Sequence, residues 1–192
     1  YWASELGRAI TEPGQFGENF TVDGLPDDEV CIGDRFAIGS AVFEVSQPRV
    51  TCYKVGIRLD EPRMPALLTG HGRPGFYLRV IQEGVVGAGD AIVPVSAGPG
   101  GLTIQGASAL LYTPDLDVAA LRTAIGIPAL PEGWKESFRR LLDQAERGAD
   151  GNRGLSPLAD RATAYTGFRP FRIEEARAES ASVRSLRFAP AD

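Results

Sequence analysis

A change in the spacing of apolar residues near Leu102 constrains the fold more than any other feature of the sequence. Before it, residues 16–98 carry short runs of β-branched and aromatic residues, separated by glycine-containing turns. Short strands at this spacing are typical of a barrel or a sandwich rather than of alternating strands and helices. The predicted strands are Val30–Ile32, Arg35–Ile38, Ala41–Val45, Phe76–Ile81 and Ala91–Val95. The clearest hairpin is expected at Gly39-Ser40, between the second and third of these strands.

After Leu102 the apolar residues recur at helical spacing. Thr103 is expected to cap a short helix, and Thr113-Pro114 is expected to begin a second helix that stops at Gly126. A third helix is predicted from about Glu132 to Arg147, with its apolar residues on one stripe.

The fold class that follows is mainly β with α, a barrel or sandwich of β-strands over residues 1–101 followed by a small three-helix subdomain over residues 102–147. Residues 1–9 can form the end of a further helix. Residues 148–167 are rich in glycine and polar residues without an apolar period, which predicts a linker. Residues 168–192 return to a β-type pattern.

Composition narrows the classes of function. The chain has 192 residues and a formal net charge of −5, which does not favour nucleic acid or an anionic membrane as a partner. No apolar run is long enough to span a bilayer, and the first residues lack the pattern of a signal peptide. Two cysteines do not make a disulfide scaffold, so a cytoplasmic setting is expected. The single histidine, His71, argues against a Cys/His zinc site and against a serine hydrolase.

Cys52 is the first candidate for chemistry. Arg49 precedes it by three residues and Lys54 follows it by two, and nearby cations favour the thiolate, which binds soft metals. The same cations could hold a phosphate. On spacing alone, a buried packing role for Cys52 is the commoner outcome. Cys31 fits a packing role better, since no cation is adjacent to it.

Two glycine-containing segments supply further candidates. Glu18 and Asn19 follow Gly17, where the backbone can approach a ligand closely, and they could orient a cofactor or simply cap a turn. Arg73 lies in a loop between Gly72 and Pro74, where it could meet an anion.

These segments stand in an order that resembles the MOSC domain, a PK-type β-barrel named after the C-terminal domain of molybdenum-cofactor sulfurases. The motifs, in chain order, are Phe16-Gly17-Glu18-Asn19, Gly33-Asp34 with its hairpin, Gln47-Pro48-Arg49-Val50-Thr51-Cys52-Tyr53-Lys54, and Gly75-Phe76-Tyr77-Leu78-Arg79-Val80. The helical part, with Ile127-Pro128-Ala129-Leu130 ahead of Trp134, is similar to the branch associated with resistance to 6-hydroxylaminopurine.

The resemblance implies a pterin-based molybdenum cofactor (molybdopterin) whose metal is bound by Cys52, which is then also the catalytic cysteine. It implies an oxidoreductase that reduces N-hydroxylated compounds, of the hydroxylaminopurine or amidoxime type, with two electrons and two protons. The cofactor-binding candidates, all with polar side chains, are Arg49, Lys54, Glu18, Asn19 and Arg73. MOSC relatives also have an earlier segment with the first barrel strands, so we expect the sequence to be truncated before Tyr1.

A second resemblance concerns residues 168–192, which look like the opening strand of a ferredoxin-reductase-type FAD domain. It implies an electron-donating flavin reductase fused in cis, with FAD, and with or without a 2Fe-2S centre, lying beyond Asp192. Two other functions remain open. The domain could be a molybdopterin or sulfur carrier without its own turnover, or a sensor or interaction domain that kept the fold and lost the chemistry.

Overall fold

The computed structural model describes residues 1–10, 12–113, 116–147, 170–178 and 184–191. The chain divides into two compact units, Tyr1–Ser156 and Pro157–Asp192. The helices are α1 Trp2–Glu5, α2 Tyr53–Arg58, α3 Met64–Gly70, α4 Ile104–Tyr112, α5 Val118–Gly126 and α6 Glu132–Arg147. The strands are β1 Arg35–Ile38, β2 Ala41–Pro48, β3 Phe76–Gln82, β4 Ile92–Ser96, β5 Phe171–Ala178 and β6 Arg184–Pro190.

The first unit contains a four-stranded antiparallel sheet in the order β3-β2-β1-β4. The predicted hairpin is confirmed, because Ile38 and Ala41 are paired on either side of Gly39-Ser40. The prediction of a closed barrel is wrong for the described residues, in which the edge strands β3 and β4 do not pair. Four strands are too few to close, since even small barrels whose interiors are filled by side chains use about eight.

The predicted strand Val30–Ile32 is also wrong, as only Cys31 forms an isolated bridge, to Thr103. The chain turns at once, because Gly33 has a φ of 92° and the Asp34 carboxylate accepts hydrogen bonds from the backbone N–H groups of Cys31 (2.8 Å) and Gly98 (2.7 Å).

Backbone hydrogen bonds join the segment 27–32 to the start of the helical part. The N–H of Ile32 donates to the carbonyl of Leu102 (2.9 Å), and that of Ile104 donates to the carbonyl of Val30 (2.9 Å). The N–H of Gln105 donates to the carbonyl of Asp27 (2.8 Å). The sheet and the helices are therefore joined by backbone hydrogen bonds as well as by the apolar core that they share.

The helical part follows the sequence closely. Thr103 caps α4 as predicted, since its Oγ1 accepts a hydrogen bond from Gly106 N at 3.0 Å, and α6 has the expected bounds. The expected start of α5 at Thr113-Pro114 is wrong. Asp117 is its N-cap, with a side chain that accepts from Ala120 N at 2.9 Å, and an aspartate is a strong cap.

Two short helices, α2 and α3, were not predicted. Their buried residues form a small cluster of their own: Val55, Leu59, Met64 and Leu68, with Trp2, Leu6, Phe16 and Leu67 packed against it. Helices this short are not stable by propensity alone, so tertiary packing sustains them. The N-terminal helix is shorter than the predicted residues 1–9, because Gly7 has a φ of 61°.

A buried carboxylate ties three strands together. Glu44 on β2 pairs in register with Arg35 on β1 and with Arg79 on β3. Its Oε2 accepts from the Arg35 guanidinium at 2.9 Å, and its Oε1 accepts from that of Arg79 at 3.2 Å. Arg79 also donates to the carbonyl of Ala129, ahead of α6, at 3.2 Å.

In the second unit, β5 and β6 form an antiparallel pair, with Ile173 opposite Phe188 and a register shift between Ile173 and Glu175. The sequence predicted a single opening strand over residues 168–192, whereas the chain forms two strands there that pair with each other. The expected linker, residues 148–167, lies outside the described residues.

Among the described residues, no helix is long and apolar enough to cross a membrane.

Gly98→Ala is expected to destabilise the first unit. A Cβ at this position would lie 2.2 Å from the carbonyl oxygen of Ile32 and 2.7 Å from the carbonyl carbon of Gly33, so backbone would have to shift. Overpacking of this kind costs about 1–3 kcal/mol. The urea midpoint measured by tryptophan fluorescence should fall, and both tryptophans report on this unit.

The matched control is Gly133→Ala in α6, where an added Cβ meets nothing within 4 Å. This variant should be neutral or slightly stabilising, because alanine has the higher helix propensity. Equal midpoints for the two variants would contradict the close approach of Gly98 to the 32–34 turn.

Candidate functional site

A cleft of about 460 Å³ opens in the first unit. Its walls come from segments that are far apart in sequence: the N-terminus, the loop 16–27, β1, Arg49 and the segment 73–78. Seven aromatic side chains line it: Tyr1, Trp2, Phe16, Phe20, Phe36, Phe76 and Tyr77. A mostly apolar cleft with several aromatic side chains and a few convergent polar groups is the usual form of a site for a small molecule or a cofactor.

Four of the six site residues proposed from sequence line this cleft. They are Glu18, Asn19, Arg49 and Arg73. The other two, Cys52 and Lys54, are not among the lining residues and are both exposed.

Glu18 organises the loop that carries it. Its Oε1 accepts from Gly14 N at 2.6 Å and from the Thr21 hydroxyl at 3.0 Å, and its Oε2 accepts from Phe16 N at 2.9 Å. Burial by itself would raise the pKa of Glu18, but these hydrogen bonds lower it below its ordinary value. The sequence left open whether Glu18 orients a cofactor or caps a turn, and these contacts match the second role. Asn19 is exposed beside it.

Arg73 and Arg49 bring positive charge to the cleft. The guanidinium carbon of Arg73 lies 4.4 Å from the ring centroid of Tyr1, within the range of a cation–π contact. Arg49 is partly buried, and its backbone N–H donates to the carbonyl of Gly75 at 2.8 Å. Within the described ranges, neither guanidinium forms an ion pair with a carboxylate, so both are available to an anion.

Cys52 stands at the N-cap of α2 with an extended backbone, φ −133° and ψ 149°. Its side chain is exposed, so the packing role that spacing alone favoured is wrong. Three residues of extended chain span at most about 10 Å, so Cys52 lies within that reach of Arg49 on the cleft wall.

Cys31 has a different setting. It is partly buried, and its thiol contacts the carbonyl oxygen of Glu29 at 3.7 Å. Burial and then the charge of Asp34 raise the pKa of the Cys31 thiol. A raised pKa disfavours the thiolate, so Cys31 is the weaker candidate for metal binding.

Asp27 is a cleft residue that the sequence analysis missed. Its Oδ1 accepts from Gly75 N at 2.8 Å, and burial raises its pKa despite opposing contributions from that hydrogen bond and from Arg73. Pro26-Asp27-Asp28 looks like ordinary turn chemistry in sequence. Asp27 is recognised as a cleft residue only from its hydrogen bond with Gly75, which lies 48 residues later in the chain.

No group of three or more His, Cys, Asp or Glu side chains that could hold a metal occurs in the part of the chain that the structure describes.

Comparison with known proteins places the two parts of the first unit in described families. Residues 1–93 match the MOSC domain, and residues 102–145 match the YiiM-like 3-alpha helix domain. The crystal structure of YiiM from Geobacillus stearothermophilus is similar, with 39% sequence identity and a TM-score of 0.70, over 74% of this chain and 72% of that one.

Two curated relatives extend the comparison. The uncharacterized protein YflK of Bacillus subtilis (strain 168) is 35% identical over 144 residues, which are 75% of this chain and 65% of YflK. A protein named "Reductase" from Gibberella moniliformis (strain M3125 / FGSC 7600) is 39% identical over 84 residues, 43% of this chain and 15% of that protein. The chain thus spans just under two thirds of the first relative and a small part of the second.

Glu18→Gln is expected to loosen the loop 14–21 at neutral pH. Because folding lowers the pKa of Glu18, its stabilising effect is fully present above the ordinary glutamate pKa of about 4.3 and is lost as pH falls through the lower folded value. Hydrogen exchange of the Gly14 and Phe16 amides should be faster in the variant at pH 7. In urea unfolding, the difference between variant and wild type should shrink towards pH 3.

Glu12→Gln is the control, since Glu12 is exposed and close in sequence. If exchange at Gly14 and Phe16 were as slow in Glu18→Gln as in Glu12→Gln, the carboxylate would not be what organises this loop.

Proposed function

The chain belongs to the family of MOSC-domain proteins that carry a YiiM-like three-helix domain, and from this premise we propose that it binds a pterin-based molybdenum cofactor through Cys52. We further propose that it serves an oxidoreductase that reduces N-hydroxylated compounds of the hydroxylaminopurine or amidoxime type. The observation that carries the proposal is an exposed thiol three residues from Arg49, which lines an aromatic cleft.

The residues fit such a cofactor. A thiolate belongs to the ligand class that suits a redox-active transition metal in a soft site, and Cys52 is accessible to one. Arg49 and Arg73 give the cleft two guanidinium groups, which bind anionic groups strongly through charge-assisted hydrogen bonds. The aromatic walls suit a flat ring system, which can stack or lie edge-on against them.

Each protein group has a distinct part in this proposal. Bound cofactor would supply the two-electron redox chemistry, while the protein binds and orients it. Cys52 would hold the metal, and Arg49 and Arg73 would hold the anionic part. Glu18 keeps the loop beneath Asn19 in place through its three hydrogen bonds. Lys54, exposed on α2 two residues after Cys52, adds positive charge on the thiol side.

A carrier function is the alternative, in which Cys52 holds molybdopterin or sulfur and hands it on. An exposed thiol would serve that role as well. Turnover of 6-hydroxylaminopurine with a chemical reductant, at a rate above that of the free cofactor, would favour the enzyme. Binding of the cofactor without turnover would favour the carrier.

Cys52→Ser is expected to abolish retention of molybdenum by protein purified from cells that make the cofactor, because a neutral hydroxyl is a poor substitute for a soft thiolate. Molybdenum per protein can be measured by inductively coupled plasma mass spectrometry. Cys31→Ser is the matched control and should keep its metal, since burial and the charge of Asp34 raise the pKa of the Cys31 thiol and disfavour the thiolate. Equal molybdenum in Cys52→Ser and wild type would refute the assignment.

The electron donor is proposed to be a flavin reductase module in cis, with FAD and an optional 2Fe-2S carrier. The partial match to a protein named "Reductase" supports this. The exposure of Ile173, Leu186 and Phe188 on the β5–β6 hairpin supports it as well, because a two-stranded hairpin is only marginally stable by itself.

The test of this donor uses the complete protein and a version that ends at Gly151. Reduction of bound flavin by NAD(P)H should occur in the complete protein and be absent from the shortened one. A complete protein that binds no flavin would exclude the fused donor while leaving the molybdenum site untouched.

A further inference from the structure

We propose that Asp27 couples the binding of an anion in the cleft to proton uptake at its carboxylate. The inference rests on the proposed function, because the anion in question is the negatively charged part of the cofactor that Arg49 and Arg73 would hold. It goes beyond that function by assigning a proton-holding group to the cleft.

The geometry centres on Gly75, at the end of the loop that carries Arg73. Its N–H donates to Asp27 Oδ1 at 2.8 Å, and its carbonyl accepts from the backbone N–H of Arg49 at 2.8 Å. The carboxylate and the two guanidinium-bearing residues are therefore held around one backbone unit, and all three residues line the same cleft.

The groups packed around Asp27 come from three elements. On its own loop, Asp28 opposes ionisation of Asp27, and on the facing loop Arg73 favours it. On α4, the neighbouring residue is Gln105, which is uncharged and is bonded to the Asp27 carbonyl through its own N–H. Glu18 and Arg49 are the other charged side chains on the cleft wall.

An anion beside Arg73 would offset the positive charge that lowers the pKa of Asp27. Burial already raises the pKa of Asp27, so removal of the favourable effect of Arg73 would raise that pKa further and promote protonation. Linkage is reciprocal, so the protonated carboxyl group would in turn favour the anion.

The coupling has a use in the proposed reaction. When an N-hydroxylated substrate is reduced, its N–O bond breaks, two electrons arrive from a reduced flavin-type donor, and two protons complete the new N–H bond and a molecule of water. Proton uptake on binding would bring one of these two protons into the cleft before the electrons arrive.

Sulfate is the probe, because it carries no proton to exchange near neutral pH. Its binding to the 192-residue chain would be measured by isothermal titration calorimetry at several pH values, in pairs of buffers that differ in ionisation enthalpy. Wild type should take up a fraction of a proton on binding, and its affinity should fall as pH rises.

Asp27→Asn is the central variant, since asparagine keeps an acceptor for Gly75 N–H but cannot ionise. It should bind sulfate without proton uptake from this site, with a flatter pH profile and, at pH 7, an affinity about fivefold or more above wild type, the lower end of typical coupling between sites. Glu12→Gln is the control, since Glu12 is exposed and lies outside the cleft lining, and it should keep the proton uptake of wild type. Arg73→Ala should weaken sulfate binding.

Three results would overturn the inference: no sulfate binding, binding by wild type without proton exchange, or the same proton uptake in Asp27→Asn as in wild type. The buffer-pair measurement on wild type needs no variant, so a folding defect in Asp27→Asn does not remove the test. Molybdenum retention by wild type and Cys52→Ser is an independent readout, so failure of the cofactor proposal can be told apart from failure of the proton coupling.

Discussion

The row Arg35–Glu44–Arg79 is the interaction on which the rest of the first unit depends. Glu44 is nearly buried, and burying a carboxylate is costly unless it is paired and hydrogen-bonded. Here it meets one guanidinium from each neighbouring strand, and both partners stand directly opposite it in the pairing. A slip of one residue in β2 would turn Glu44 to the other face of the sheet and leave the charges unpaired, so the row fixes the register. The β2–β3 pairing then shifts by one residue between Val45 and Gln47, and β2 ends with Pro48 opposite Phe76, next to the point where Arg49 meets Gly75.

The elements that local chemistry determines could be predicted from sequence. The hairpin at Gly39-Ser40, the Thr103 cap and α6 all depend on a few neighbouring residues, and the structure has all three. Helices α2 and α3 escaped prediction because packing against distant residues such as Trp2 and Phe16 sustains them. Closure of the barrel was inferred from the resemblance rather than from strand count, and the described residues supply four strands.

The candidate site, too, could be predicted from the sequence only where it depends on neighbouring residues. Charged residues near a cysteine can be recognised in a motif, and four of the six predicted site residues do line one cleft. What a motif does not give is how each side chain is used. The Glu18 carboxylate accepts three hydrogen bonds from its own loop, whereas Asp27, in an unremarkable turn, reaches across to Gly75. Such uses depend on contacts between residues far apart in the chain, and they appear only when those contacts are known.

The backbone hydrogen bonds between residues 27–32 and 102–105 bear on how this protein can be divided. The boundary between the sheet and the helical part, near residue 101, separates two matched families, but it runs straight through these bonds. A fragment cut there would expose one half of a pairing on each piece, with buried apolar residues such as Val30 and Ile104 beside it. A chimera that takes the helices from a relative would therefore have to take residues 27–32 from that relative together with residues 102–105. The sheet and the three helices of the first unit therefore have to be inherited, or engineered, together.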